Sequence, residues 1–215
     1  GAELQRMLGD RAGVVMFSWP SDANPVDYVA DQVDVEWSVP DLARLLEDLS
    51  ARFGSGRLRV LAHSIGSRGT LFSLAQLRLE GREAPVADRL VLLAPDFDAA
   101  TFARQFPLVR SMARRVTLYA SDKDTPLTVS QALHGGHPRL GQAGAALTVL
   151  AGMETVDVSS LGRYHPTGHE YFYYHPVVAD DLVRLLIDGR ADAEWPNRER
   201  REQDGIAYWA LVRGP

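Results

Sequence analysis

A mainly parallel α/β sheet with helices on both faces is the fold class that this 215-residue sequence predicts. Three observations point to it. Short apolar runs alternate with helical stretches, which is the pattern of strands joined by crossover helices. The runs are apolar enough to be buried on both faces. One of them, with Leu58, Val60 and Leu61, leads through Ala62-His63-Ser64-Ile65-Gly66 into a helix over about 67–80. That succession of strand, tight turn and helix is the context of a nucleophile elbow, here with Ala at the first Gly position of G-x-S-x-G.

In chain order, Ala2 to Leu8 reads as the end of a helix stopped by Gly9. Val14-Val15-Met16-Phe17 reads as a strand ended by Ser18-Trp19-Pro20-Ser21. Asp22 to Trp37, with Pro25 and several acids, reads as loop. Ser38 is placed as an N-cap with Asp41 three residues on, and Leu42, Leu45, Leu46, Leu49 and Phe53 share one helical face before Gly54-Ser55-Gly56. After the elbow helix comes the strand Arg89–Ala94, closed by Pro95-Asp96-Phe97-Asp98. Asp98 caps a helix that Pro107 is expected to interrupt. Val116–Ala120 is a strand ending at Ser121-Asp122-Lys123-Asp124, and Thr125-Pro126 opens a helix that Gly135 ends. Thr155–Val158 is a short strand, followed by a polar loop to Gly168-His169. Pro176 to Ile187 is an amphipathic helix stopped by Gly189. Two units are expected: residues 1–189 as the main domain and 190–215 as a charged tail. Within the tail, Arg198-Glu199-Arg200-Arg201-Glu202 reads as solvated linker and Ile206 to Val212 as a docking strand.

Composition narrows the function. A formal charge of −5 and a pI near 5.7 give no electrostatic footprint for nucleic acid or an anionic membrane. There are no cysteines, so disulfides, thiol nucleophiles and Cys-ligated zinc are excluded together. No apolar run approaches a membrane span, and no signal peptide is visible, which leaves the compartment open.

Ligands of parallel sheets sit at the carboxyl ends of the strands. Trp19, Ser64, Asp96, Asp124 and the loop bearing His169 fall there. A serine hydroxyl needs a base to take its proton, and that base needs an orienting acid. Ser64, Asp124 and His169 follow one another in the chain order Ser, Asp, His. Asp96 is the alternative acid, Asp122 a further one, and His165 and His175 compete for the base. His63, next to the serine across the elbow, reads as structural. Small residues at 62, 66, 69 and 73 would let the elbow helix pack close under its strand, and the Ile65 N–H would face a developing oxyanion. Trp19 and the cluster Tyr164, Tyr171, Phe172, Tyr173 and Tyr174 are candidates to line an acyl pocket, with Trp19 and Tyr171 as substrate-binding residues. The pairs His134/His137 and His165/His169 have ligand-like spacing, but no H-E-x-x-H occurs and no metal or cofactor is expected.

Phe17-Ser18-Trp19-Pro20-Ser21, Tyr28 with Asp31, the elbow, Leu93-Ala94-Pro95-Asp96, Leu118 through Asp124, and Gly168-His169 with Tyr171-Phe172 together resemble the bacterial alpha/beta hydrolase family of unknown function, a branch of the esterase/lipase superfamily. The elbow is shared by many hydrolases, whereas F-S-W-P-S is far more particular. The resemblance implies an alpha/beta hydrolase fold with nucleophile Ser64, base His169 and acid Asp124. It names no substrate. Members carry further strands and a His-Gly loop ahead of the segment matching Ala2, so the chain is expected to be an N-terminally incomplete piece. The expected activity is hydrolysis of a small carboxylic ester through an acyl-enzyme on Ser64. An acyltransferase or thioesterase using the same residues, and a non-catalytic binding module of the same fold, are the alternatives.

Overall fold

The computed structural model describes residues 1–21, 28–163, 165–188 and 195–214. Pro25, Tyr164, Gly189 and Arg190, which figure in the expectations above, lie outside them. The helices are α1 (Ala2–Leu8), α2 (Tyr28–Trp37), α3 (Val39–Phe53), α4 (Gly66–Leu79), α5 (Ala99–Met112), α6 (Thr125–Leu133), α7 (Tyr171–Tyr174) and α8 (Pro176–Ile187). The strands are β1 (Arg59–His63), β2 (Ala87–Leu93), β3 (Ala113–Ala120), β4 (Glu154–Asp157), β5 (Arg198–Gln203) and β6 (Ile206–Leu211).

They form one six-stranded sheet in the order β1-β2-β3-β4-β6-β5. Every pairing is parallel except β5 with β6. Along β2, Leu90 and Leu92 enter one apolar cluster, while Val91 and Leu93 enter the other. The first cluster takes Leu42, Leu46, Leu71, Leu74, Phe102 and Phe106 from α3, α4 and α5; the second takes Leu8, Val178, Leu182 and Leu185 from α1 and α8. This two-sided burial is why the strands read as continuous apolar runs.

Several local expectations change. Val14 to Phe17 forms no strand and pairs with no described strand. Val15 and Met16 are exposed, while Val14 and Phe17 pack against the two clusters, so the run contributes anchors rather than a ladder. Residues 28–37, read as loop, are α2, because tertiary contact decides the matter. Val35 is buried, and its Cγ2 would lie 2.9 Å from a Cβ placed on Gly69. The small residues of α4 therefore admit neighbours other than the strand. Gly66 meets the Trp19 indole, Gly69 meets Val35, and the Ser73 hydroxyl donates to the Val39 carbonyl. Ser38 does not cap α3 with its side chain; its hydroxyl donates back to the Asp34 carbonyl and continues the α2 turn. α5 runs through Pro107, which sits on its exposed side, where water can satisfy the carbonyl left without a donor.

The charged segment from Arg198 is an edge strand, not a linker. Its four exposed residues, Glu199 to Glu202, suit an edge that must not template further pairing. Arg198 itself is buried. Its guanidinium bonds both Asp181 oxygens at 2.6 and 2.9 Å and the Glu154 carboxylate at 2.6 Å. The Tyr119 hydroxyl also donates to Asp181. One network thus ties β3, β4, β5 and α8. Ile206 to Leu211 docks as β6 against β4, in the way its composition suggests.

Candidate active site

β1 ends at His63, and the chain reverses at Ser64 into α4. Ser64 has φ = 52°, a region that disfavours a side chain and costs on the order of 1–3 kcal/mol. The surroundings hold it there. The Ser64 N–H donates to the Leu93 carbonyl at 3.1 Å, and the Ser64 carbonyl accepts from Asp96 and Ser67, both also at 3.1 Å. The turn is thereby fastened to the end of β2. The Ile65 N–H makes no hydrogen bond among the described residues and sits at the start of α4. An anion at that position would meet a free donor and the positive end of the helix dipole.

Asp124 closes the turn after β3 and caps α6. Its two oxygens are divided. Oδ1 accepts from the Leu127 N–H at 3.0 Å, and Oδ2 lies 2.7 Å from His169 Nδ1. Its side chain has no exposed surface, and that of His169 is 12% exposed. One carboxylate thus both caps α6 and holds the His169 ring. Because an ionised carboxylate can only accept, Nδ1 of His169 carries the proton and Nε2 is left as acceptor.

Gly168 makes this contact attainable. Its φ is 67°, and a Cβ there would lie 2.1 Å from the Lys123 carbonyl oxygen. Only glycine lets the two backbones approach so closely. Beside it, the Thr125 N–H donates to the Thr167 carbonyl at 3.0 Å, and the His169 N–H donates to the Thr167 hydroxyl at 3.3 Å. The Gly-His pair is visible in the sequence. The backbone clip between 167–168 and 123–125 is not, since it joins segments more than forty residues apart.

His63 forms the back wall. Its ring lies 4.6 Å from that of His169 and 4.8 Å from that of Phe172, centre to centre. Burial, then the neighbouring His169, lowers its pKa to about 3, so it stays neutral beside His169. This contact brings the His169 imidazole to the residue that adjoins Ser64. The Ser64 hydroxyl itself makes no hydrogen bond among the described residues. Such bonds are commonly long without substrate and tighten in the complex.

The other acids and histidines are committed elsewhere. Asp96 is buried, pairs with Arg139 Nε at 2.6 Å and accepts from the Ser130 hydroxyl at 2.8 Å. Asp122 is partly exposed and pairs with Lys123. His165 stacks on Tyr174 and faces Glu170 and Thr167. His175 is buried and caps α8. His134 bonds the Ser130 carbonyl and Gln32. Among the described residues, no group of three or more His, Asp or Glu side chains is arranged to hold a metal ion.

Tyr171 departs from its expected role. It is buried, and its hydroxyl accepts from the Ala94 N–H at 3.0 Å while donating to the Tyr119 carbonyl at 2.9 Å. Both sides of the hydroxyl are occupied by strand ends, so it braces β2 and β3 instead of lining a substrate pocket. It also braces Ala94, which is at φ = 44°. Beneath that turn, a Cβ on Gly141 would lie 2.6 Å from the Ala94 carbonyl carbon. Trp19 is half-buried, with its indole edge 3.2 Å from the position of a Gly66 Cβ, and so lies against the start of α4.

The fold accords with comparisons to known sequences. A family model described as "Alpha/beta hydrolase of unknown function (DUF900)" matches residues 1–188. The chain belongs to this alpha/beta hydrolase family. An uncharacterized protein of Nostoc sp. (strain PCC 7120) is 30% identical over 105 residues, a stretch that covers 39% of this chain and 27% of that protein. No solved structure matches significantly. Among the described residues of this alpha/beta hydrolase, no helix is long and apolar enough to cross a membrane.

Proposed function

We propose that this alpha/beta hydrolase is a serine esterase that cleaves a carboxylic ester through an acyl-enzyme on Ser64. The observation that carries the reading is the 2.7 Å Asp124–His169 hydrogen bond, with the His169 ring packed on that of His63, the residue before the positive-φ Ser64. In the first half-reaction, His169 Nε2 takes the hydroxyl proton as Ser64 Oγ attacks the ester carbonyl carbon. The carbonyl oxygen becomes an oxyanion and accepts from the Ile65 N–H. Asp124 stabilises the imidazolium and keeps its orientation. The proton then passes to the leaving alkoxide, the C–O bond breaks, and an alcohol departs. Water, deprotonated by His169, attacks the acyl-serine and releases the acid in the reverse sense. Trp19 offers an apolar wall beside the nucleophile, which suits an uncharged acyl group.

A fluorophosphonate probe tests this directly. The expected result is one covalent adduct in intact-mass analysis, located on Ser64 and absent from Ser64→Ala. Hydrolysis of short p-nitrophenyl esters should fall to background in the same variant. Equal rates for wild type and variant, on folded protein that takes up no probe, would assign the chain to non-catalytic binding. Accumulation of transesterified product with added alcohol or thiol would assign it to acyl transfer.

A further inference from the structure

Ser64 and His169 lie far apart in the chain, so the reach between their side chains depends on what grips each backbone. The end of β2 grips Ser64. The Ser64 N–H donates to the Leu93 carbonyl, and the Ser64 carbonyl accepts from the Asp96 N–H, both at 3.1 Å. Between these two contacts lies Ala94, at φ = 44°. The Ala94 N–H donates to the Tyr171 hydroxyl at 3.0 Å, and that hydroxyl donates to the Tyr119 carbonyl at 2.9 Å. Tyr171 follows His169 by two residues. One phenol thus joins the bracket around the serine to the segment that carries the imidazole.

The neighbours of Tyr171 touch the elbow less firmly. His169 and Phe172 both pack on His63, with ring centres at 4.6 and 4.8 Å. Ring contacts tolerate offset and tilt, whereas a hydrogen bond weakens steeply with length and angle. Upstream of His169, the bond from the Thr125 N–H to the Thr167 carbonyl fastens the chain to the start of α6. Downstream, the Tyr171 hydroxyl fastens it to the ends of β2 and β3. Burial, then the Asp124 carboxylate, pushes the Tyr171 pKa well above the usual phenol value, so the hydroxyl keeps the proton it donates.

We infer, on the esterase reading above, that Tyr171 is a positioning residue whose hydroxyl sets the reach between the His169 imidazole and the Ser64 hydroxyl. Misplacing reacting groups by about 1 Å costs on the order of 100-fold in rate. The hydroxyl takes no part in the chemistry itself, since both its bonds end on the backbone of strand ends. Its removal should be mild for the fold. The Ala94 N–H also reaches the Tyr119 carbonyl at 3.3 Å, so donor and acceptor keep each other and no buried group is orphaned.

Tyr171→Phe removes the hydroxyl and keeps the ring. With p-nitrophenyl acetate, kcat per folded molecule should fall about tenfold to a hundredfold, with KM within about twofold of wild type. Fluorophosphonate labelling of Ser64 should slow by a similar factor. Nitrogen NMR of the histidine rings should show the His169 signals displaced and those of His134 and His137 unmoved. A lower urea midpoint with kcat per folded molecule and the His169 signals unchanged would make the phenol merely structural and overturn the inference. So would a fall in kcat with the His169 signals unmoved. If Tyr171→Phe does not fold, a ring-fluorinated tyrosine placed at 171 keeps the hydroxyl but accepts more weakly from Ala94. There kcat should fall in the same sense, and a rate equal to wild type overturns the inference. Wild-type protein that takes up no fluorophosphonate and cleaves no ester removes the esterase reading, and this role of Tyr171 with it. An active wild type with an equally active Tyr171→Phe removes the role alone.

Discussion

Asp124 and Asp181 are both carboxylates without exposed side-chain surface, and they are held for different ends. Asp181 meets Arg198 through two bonds, takes a third from Tyr119, and is sealed on all sides. Its partner cannot release a proton at any working pH. Asp124 gives one oxygen to a helix cap and the other to an imidazole that keeps a partly exposed surface. That partner is an imidazole, whose second ring nitrogen can accept and return a proton. Asp96, sealed against Arg139 and Ser130, belongs with Asp181. A buried acid thus reads as functional when its partner can exchange a proton, and as structural when its partner is a guanidinium.

Asp124→Asn breaks the comparison on the catalytic side. The amide can still cap α6 through its oxygen, since Asn and Asp are near-equal caps. Its N–H, however, would face His169 Nδ1 and turn the imidazole to the wrong tautomer. Ester turnover should drop about 10⁴-fold, while the urea midpoint changes little. A midpoint collapse with turnover per folded molecule intact would return Asp124 to a purely structural role.

Arg198→Met is the converse and has the next largest effect. It leaves Asp181 buried without its cation, which should cost about 3–5 kcal/mol. Equilibrium urea unfolding measures the loss. Esterase rate per folded molecule should stay near wild type, because the network touches neither Ser64 nor His169. A loss of rate without loss of stability would contradict the division drawn between the two aspartates.

That division was only half legible in the sequence. Ser64, Asp124 and His169 stood out because elbow, strand end and chain order are local or ordinal signals, and the buried strands announced themselves by composition. Arg198 was lost in a run of charges, since nothing local separates it from the exposed Glu199 and Arg200. Its role is fixed by Asp181 and Glu154, 17 and 44 residues away. Tyr171 looked like a pocket aromatic because its hydroxyl partners, the Ala94 N–H and the Tyr119 carbonyl, are backbone groups of distant strands. α2 was missed because its helical state rests on Val35 fitting against Gly69, a contact invisible to periodicity. The elements that failed are those whose conformation is decided by a partner far along the chain.

His63 sharpens the comparison most finely, because it is the imidazole packed on His169 that is held neutral. Folding lowers its pKa from 6.5 to about 3, chiefly through burial. Between those values the unfolded chain holds a proton there that the folded chain does not. Stability must therefore rise with pH across that window, and the share due to His63 is fully present above about pH 6.5 and lost as pH falls towards 3. Its slope is at most about 1.4 kcal/mol per pH unit. His175, lowered by burial and by Arg213, adds to the same window. His63→Gln should flatten the urea-derived stability profile between roughly pH 4 and 6 by up to one proton's worth and leave the His175 share in place. An unchanged slope would mean that His63 is already protonated beside His169. The back wall of the site would then be a second cation rather than a neutral spacer, and the base would have to work against it.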